Sequence, residues 1–274
     1  MLEKSHTPVP PGLAPDKEGP RPGKPQCGNL VPRHSQPILV LTMRRSGGTN
    51  LARILFAVND RPDFEDEAFN PDRSLGNIIR SYRTSKSTKQ LRAAIRAKMA
   101  LKYNLKHAID TISSTLTRIV VEEARAHGYR LLVLLRRNER ARLRSLAVGL
   151  TVGAWGPPST RKSIAELQNA TQKPAIDLAH VQKQIEKSRT ALGALIFGLN
   201  ALSAEYDTIF FEDLYGREEI GGHAEFWLKL GFVPEDLPEV RRLLASSEHE
   251  SSAPLLRLLR NANDLEALCE RLCV

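Results

Sequence analysis

The feature that most constrains the fold is an apolar run, a glycine-containing turn and a helical segment in direct succession near residue 40. Residues 38–42 read ILVLT, which is typical of a buried parallel strand. The loop MRRSGG follows, and TNLARILFAV then places apolar side chains at helical spacing, so a helix is predicted to begin near Gly48. A second apolar run, YRLLVLL at 129–135, also leads into a charged turn and a helical segment. This alternation predicts an α/β fold with a central parallel sheet flanked by helices.

The distribution of proline predicts the domain organisation. Nine of the 17 prolines lie within the first 37 residues, in a segment with almost no aliphatic periodicity. Such a composition cannot bury a core, so residues 1–35 are predicted to be a disordered tail and residues 36–274 a single α/β domain. Further strands are predicted at 101–106 and 206–211, helices at 86–100, 109–127, 175–203, 217–230 and 254–272, and irregular structure at 59–85 and 151–163.

Charge and composition narrow the function classes. The formal net charge of +9 suits an anionic partner, but aromatic residues make up only 5% of the chain, which disfavours a single-stranded nucleic-acid binder that stacks bases. No apolar run is long enough to span a membrane, and the N-terminus has no apolar core of a secretory signal, so a cytoplasmic location is expected. The three cysteines form no disulfide framework, and no Cys/His cluster has the spacing of a zinc site.

The loop after the first strand has the residues of an oxyanion cradle. Gly47 and Gly48 allow backbone N–H groups to turn toward a ligand, and the helix start favours a negative charge there. Ser46 and Thr49 add hydroxyl donors, and Arg45 adds a positive charge. The loop lacks the Gly-Lys-Ser/Thr of a Walker A motif, and no dinucleotide-binding G-x-G-x-x-G is present. An ordinary strand–helix turn with surface arginines is the alternative.

The loop after the second apolar run has a comparable pattern. Arg137 follows the strand and Ser145 comes eight residues later, about two helical turns into the next helix. A guanidinium and a helix hydroxyl so placed can converge on one phosphate. The alternative is a solvated basic helix face, on which Arg140, Arg142 and Arg144 are expected. Two cradles at the ends of two strands would suit a ligand with two separated anionic groups.

These two loops resemble those of sulfotransferases that use the donor PAPS (3′-phosphoadenosine 5′-phosphosulfate). The first resembles the family's 5′-phosphosulfate loop, K/R-S-G-S/T-T-x-L, and the second its 3′-phosphate element, although Glu139 replaces the usual Pro. The resemblance covers 37–55, 101–107, 129–147 and 206–214, and the arginine of the first loop is similar to that of the bacterial and carbohydrate branches. It implies a P-loop-like three-layer fold, PAPS as co-substrate without a metal, and a hydroxyl acceptor on a carbohydrate or glycolipid. The donor-binding residues that it implies are Arg45, Ser46, Gly47, Gly48, Thr49, Asn50, Arg137 and Ser145.

The resemblance also implies catalytic roles. Arg45 would stabilise the charge on the bridging and sulfuryl oxygens, and Glu67, in DFEDEAFNP, would be the general base. Glu65 and His107 are alternative bases, and a solvated acidic loop is the alternative for this segment. Trp155 is expected to stack on adenine, line the acceptor site or pack in the core.

The acidic pair in FFEDL, Glu212 and Asp213, is expected to cap a helix or bind loop backbone. Three other functions remain: a nucleotide-dependent kinase-like P-loop transferase, a basic nucleic-acid-binding protein, and a degenerate sulfotransferase that binds the nucleotide without catalysis.

Overall fold

A parallel β-sheet forms the centre of the computed structural model, which describes residues 30–31, 34–64, 66–155, 157–215, 224–246 and 252–272. Within these ranges the sheet has four strands in the order β2-β1-β3-β4, and every neighbouring pair is parallel. The strands are β1 (Ile38–Thr42), β2 (Leu105–Ala108), β3 (Arg130–Leu135) and β4 (Asp207–Phe210). The predicted tail falls mostly on residues 1–29, outside the described residues.

Helices connect the strands and fill the C-terminal part of the chain. They are α1 (Gly48–Ala57), α2 (Gly76–Ser85), α3 (Thr88–Met99), α4 (Ser114–Ala126), α5 (Glu139–Val152), α6 (Pro157–Gln168), α7 (Leu178–Ala201), α8 (Phe211–Tyr215), α9 (Ala224–Lys229), α10 (Leu237–Ser246), α11 (Ala253–Leu256) and α12 (Ala262–Leu272). The prediction of a parallel sheet flanked by helices is therefore confirmed.

Alternate residues of the central strands explain why both faces of the sheet are covered. Leu39 and Leu41 of β1 belong to a core shared with α2, α3, α4 and α7. Val40, between them, belongs to the core on the other face, shared with α1, α9 and α10. Successive strand residues point to opposite faces, so the continuous apolar run ILVLT is buried on both sides. A third core joins α5, α6, α7, α11 and α12.

Two segments predicted to be irregular contain helices. Helix α2 lies within 59–85, where Pro62, Pro71 and Gly76 suggested a loop, but both prolines precede the helix and Gly76 is its first residue. Helix α6 begins at Pro157, a position where proline is favourable because the first helical N–H needs no partner. Strand β2 begins at Leu105 rather than 101, and the predicted helix at 254–272 divides into α11 and α12. Of the helix predicted at 217–230, residues 217–223 lie outside the described residues and the rest contains α9.

The strand order determines where the two loops meet. The chain leaves β1 for β2 on one side of the sheet, whereas β3 is followed by β4 on the other side. Connections therefore diverge at the carboxyl ends of β1 and β3, and ligands of open α/β sheets bind at such a crevice. The loops after Thr42 and Leu135 lie side by side at that point.

Candidate functional site

A cleft of about 1220 Å³ opens at the carboxyl ends of β1, β2 and β3. Such a volume is large for a small-molecule pocket, and it is enough for a nucleotide together with part of a second ligand. Of the described residues that line it, eight are Arg or Lys and three are carboxylates. They are Arg44, Arg45, Arg53, Arg73, Lys106, Arg136, Arg144 and Arg257, against Asp66, Glu67 and Glu266. This excess of positive charge favours an anionic ligand.

The loop between β1 and α1 forms the floor of the cleft. Arg45 and Gly47 both have left-handed backbone conformations, with φ of 68° and 81°. Gly47 precedes the first turn of α1, and no side chain caps that turn. The backbone N–H groups of the turn therefore remain available to a ligand. A Cβ on Gly47 would lie 2.8 Å from the Phe211 ring, and one on Gly48 would lie 2.7 Å from Thr42, so both positions require glycine. Ser46 is fully buried and its Oγ makes no hydrogen bond within the described residues.

Buried charged groups beneath the loop fix its orientation. The carboxylate of Asp110 accepts a hydrogen bond from the Arg44 N–H at 3.1 Å. Arg142 donates to the Arg44 carbonyl at 3.3 Å, and Arg136 donates to the Arg45 carbonyl at 3.0 Å. Both carbonyls are therefore held by protein donors. The prediction that Arg142 is a solvated surface residue is wrong: it is 0% exposed and is neutralised by Glu139.

One group of side chains, here called the β2 pole, consists of Thr49, Lys106, Asp66 and Glu67. Lys106 is 5% exposed, and its Nζ donates to Thr49 Oγ1 at 2.9 Å. The same Nζ lies 2.6 Å from Asp66 Oδ1 and 3.5 Å from Glu67 Oε1. The sequence predicted Thr49 and Glu67 as site residues but assigned no role to Asp66. The structure places these four side chains together in one wall of the cleft.

Glu67 is held in a defined position within the β2 pole. Its backbone is left-handed, with φ of 53°, a conformation that is uncommon for a residue with a side chain. Its Oε2 accepts a hydrogen bond from Asn70 Nδ2 at 2.8 Å, which leaves the other oxygen near Lys106. The carboxylate is about one quarter exposed, so it can be reached from the cleft. The alternative base Glu65 lies outside the described residues.

A second group, here called the arginine pole, consists of Arg45, Arg136 and Ser145. Arg45 Nε donates to Ser145 Oγ at 2.7 Å, so the two predicted loop residues are in direct contact. Arg45 also donates to the Trp155 carbonyl, and the half-exposed Trp155 ring lines the cleft. Burial lowers the pKa of both Arg45 and Arg136, although arginines remain charged at neutral pH. Arg136 stacks on the Phe211 ring, and its buried Nε makes no hydrogen bond within the described residues.

Arg137 does not join the arginine pole. Its guanidinium stacks on Phe210 and forms a two-pronged ion pair with Asp213, one bond of which is 3.0 Å long. It is half exposed and does not line the cleft. The expectation that Arg137 and Ser145 converge is therefore not met, because successive residues at the end of β3 point to opposite faces and Arg136 takes the inward direction.

The acidic pair after β4 has the structural role expected of it. Glu212 accepts hydrogen bonds from the backbone N–H groups of Arg137 and Asn138, each at 2.9 Å. Asp213 pairs with the Arg137 side chain. Tyr215, in the same short helix, contacts Asn50 and the Gly47 carbonyl through its hydroxyl at 3.4 Å. Helix α8 thus supports both cleft loops, and Asn50 lines the cleft while being tied to that support.

His107 is packed in the core rather than in the cleft. It is 2% exposed, its Nε2 bonds the Thr117 hydroxyl at 3.0 Å, and its ring meets Phe69 edge-on. It follows Lys106 on β2 and so faces the opposite side of the sheet. Burial lowers its pKa to about 4, despite the nearby negative charge of Asp110. The position is that of a neutral core histidine and does not favour the alternative in which His107 is the base.

The low pKa of His107 predicts acid-sensitive stability. The unfolded chain binds a proton near pH 6.5 and the folded protein near pH 4, so the stabilisation is complete above the first value and declines as pH falls toward the second. The free energy of unfolding is expected to fall by about 3 kcal/mol from this group between about pH 7 and pH 4. Denaturant unfolding of the wild type and of His107→Gln across this range measures the difference. Equal pH dependence of the two proteins would contradict the assignment.

The described residues contain neither of two other kinds of feature. None of their helices is both long and apolar enough to cross a membrane. No group of three or more His, Cys, Asp or Glu among them is arranged to hold a metal ion.

Comparison with known proteins leaves the site without an assigned function. No protein-family model matches the chain, and no curated protein matches it. Among solved structures, it is similar to one described in work on the PezAT chromosomal toxin–antitoxin system of the human pathogen Streptococcus pneumoniae. The identity is 15%, the match covers 80% of this chain and 89% of that chain, and the TM-score is 0.32. A TM-score this low supports no conclusion about fold family or activity.

Proposed function

We propose that this protein is a sulfotransferase with a P-loop-like three-layer fold, which transfers a sulfuryl group from PAPS to an acceptor hydroxyl. The observation that carries the proposal is that Lys106 of the β2 pole and the two arginines of the arginine pole line one cleft, with the glycine loop as its floor. PAPS has a 5′-phosphosulfate and a separate 3′-phosphate, so it needs two such groups. The resemblance of the loop after β1 to that of PAPS-dependent enzymes agrees with this arrangement, and so does the position of Ser145, whereas Arg137 lies outside the cleft lining.

The loop and the β2 pole would bind the 5′-phosphosulfate. The first N–H groups of α1 and the Thr49 hydroxyl supply hydrogen bonds, and Lys106 supplies a nearly buried positive charge. The unpartnered Ser46 Oγ beneath the loop is a further donor for an oxyanion. Charges in so enclosed a site act more strongly than in water because the effective dielectric constant is lower.

The arginine pole would bind the 3′-phosphate side of the nucleotide. Ser145, predicted from the sequence, and Arg136, which replaces the predicted Arg137, are both cleft residues. Arg45 belongs to the loop and contacts Ser145, so its guanidinium can contact the bridging oxygen region of the donor. The half-exposed Trp155 ring lines the cleft beside this pole, with the Arg44 guanidinium 6.0 Å from its centroid, and would stack on the adenine.

The reaction would be an in-line displacement at sulfur. The acceptor oxygen forms a bond to sulfur while the bond from sulfur to the 5′-phosphate oxygen breaks, and Glu67 takes the acceptor proton. The products are a sulfate ester and adenosine 3′,5′-bisphosphate. Negative charge grows on the leaving oxygen, where Arg45 and the loop N–H groups stabilise it. A carbohydrate or glycolipid hydroxyl is the acceptor class that the Arg-type loop and the Glu67 position favour.

Substitution of the two arginines after β3 tests which of them binds the nucleotide. The resemblance implies Arg137, whereas Arg136 is the one that lines the cleft. Arg136→Met is expected to weaken binding of adenosine 3′,5′-bisphosphate about 10- to 100-fold, the loss typical of a charged hydrogen-bonding group. Arg137→Met should change the affinity no more than about twofold, as is usual for an exposed ion pair. Calorimetric titration of each variant gives the two dissociation constants. The reverse order would show that the ligand recruits Arg137 and would contradict the placement.

Transfer of radiolabelled sulfur tests the proposal as a reaction. The protein is incubated with ³⁵S-labelled PAPS and a panel of sugars and glycolipids in the presence of a metal chelator. We expect the label to move to an acceptor and adenosine 3′,5′-bisphosphate to form in equal amount. If PAPS stays intact in this assay, while ATP in a parallel incubation is consumed only when Mg²⁺ is present, the kinase-like alternative is correct instead.

A further inference from the structure

The carboxylate of Asp66 occupies donors that face the start of α1. Its Oδ1 lies 2.6 Å from Lys106 Nζ, and its Oδ2 accepts a hydrogen bond from Thr49 Oγ1 at 3.0 Å. Lys106 in turn donates to Thr49 at 2.9 Å, which closes a triangle of three side chains. Two oxygens of a carboxylate therefore bind the two side-chain donors of the β2 pole, as two oxygens of a sulfuryl or phosphoryl group could.

The three members of this triangle differ in how firmly the fold holds them. The Lys106 side chain is 6% exposed and extends from β2, and Thr49 belongs to the first turn of α1. Asp66 is 48% exposed and lies in the segment between α1 and α2, part of which lines the cleft. Lys106 and Thr49 are thus fixed parts of the wall, whereas the Asp66 side chain can rotate toward solvent without uncovering the core.

We propose that Asp66 is an internal competitor for the anionic group of the ligand, which holds Lys106 and Thr49 in the free protein and is displaced when the ligand binds. This inference rests on the proposed function, because it takes the donor's 5′-phosphosulfate as the incoming anion. The bond between Asp66 and Lys106 keeps a nearly buried ammonium neutralised until the donor arrives. The observed affinity for the donor is then lower than the intrinsic affinity by the fraction of protein in which the site is open.

Displacement also affects the neighbouring Glu67. Lys106 lies 3.5 Å from Glu67, and the adjacent Asp66 is its closer carboxylate partner. A donor that takes over Lys106 leaves Glu67 anchored by Asn70 and facing the cleft. The departing Asp66 removes a negative charge from the place where the donor's own negative charge must lie.

Asp66→Asn tests the inference because it removes the charge while it keeps the size of the side chain. We expect this variant to bind adenosine 3′,5′-bisphosphate and inorganic sulfate about three- to tenfold more tightly than the wild type, since the competing state is lost. The free variant should melt at a lower temperature than the wild type, because Lys106 loses its closest counter-charge. Its melting temperature should rise more than that of the wild type when ligand is added. Asp72→Asn is the matched control: the same charge is removed from the same segment at an exposed position outside the cleft lining.

The outcomes separate this inference from the proposed function. Equal or weaker binding by Asp66→Asn, with normal binding by the wild type, overturns the role of Asp66 and leaves the donor site intact. No binding of the bisphosphate by any variant overturns both. If Asp66→Asn does not fold, Asp66→Ser gives the same comparison. A crystal structure of the sulfate complex in which Asp66 still contacts Lys106 would also overturn the inference, whereas a carboxylate turned toward solvent would support it.

Discussion

Replacement of Arg45 by asparagine is expected to lower the rate of sulfuryl transfer about 10²- to 10³-fold, the usual loss when one preorganised donor to a developing oxyanion is removed. Arg45 is the loop residue of the arginine pole, and it donates hydrogen bonds to Ser145 and to the Trp155 carbonyl. Asparagine is chosen because the position has a φ of 68°, a left-handed conformation that asparagine tolerates better than alanine. The change therefore removes the guanidinium with little added backbone strain.

The measurement for Arg45 is kcat and KM for PAPS, with the melting temperature as a check on folding. Arg118→Asn serves as the control, because Arg118 is exposed, pairs with Glu122 in the same helix and lies outside the cleft lining. It removes the same positive charge without affecting the loop. If both variants lose the same activity, the effect of Arg45 comes from net charge alone, and its proposed contact with the donor is wrong.

Glu67→Gln is expected to lower kcat about 10²- to 10⁴-fold, because general-base catalysis contributes that much and glutamine cannot accept the proton. The amide oxygen can still accept the Asn70 hydrogen bond, so the segment should keep its position. The dissociation constant of adenosine 3′,5′-bisphosphate should stay within about twofold of the wild type, since the base contacts the acceptor rather than the donor.

The informative result for Glu67→Gln is a lower kcat together with an unchanged dissociation constant for the bisphosphate. Glu166→Gln, which changes an exposed glutamate of α6 outside the cleft lining, provides a control with unchanged kcat. A Glu67→Gln variant that keeps its full kcat would exclude Glu67 as the base. Variants of the neighbouring Glu65 would then be the next to examine.

The structural elements around the cleft that the sequence predicted correctly are those with local causes. Strands β1 and β3 follow from apolar runs buried on both faces, and the loop after β1 follows from two glycines that the geometry requires. For Arg45 and Ser145 the sequence predicted only two anion cradles at the ends of two different strands. The 2.7 Å separation of these two side chains depends on β1 and β3 being adjacent, which no local pattern states.

The residues that the sequence missed act through tertiary contacts. Arg136 and Arg137 are identical in type, and only the direction of the strand end decides which one enters the cleft. Asp110 and Arg142 look like ordinary polar residues, yet both are fully buried beneath the loop. Asp66 lies in an acidic run that is typical of a solvated loop, and its role depends on Lys106, which is 40 positions away in the sequence.

Calorimetric titration with adenosine 3′,5′-bisphosphate tests the central claim most directly, because it needs neither an acceptor nor catalysis. The titration is run beside ATP and without magnesium. We expect a dissociation constant in the micromolar range for the bisphosphate, a much weaker one for ATP, and a loss of affinity in Arg136→Met. Absence of bisphosphate binding, or equal binding of ATP, would contradict the assignment of the cleft as a PAPS site.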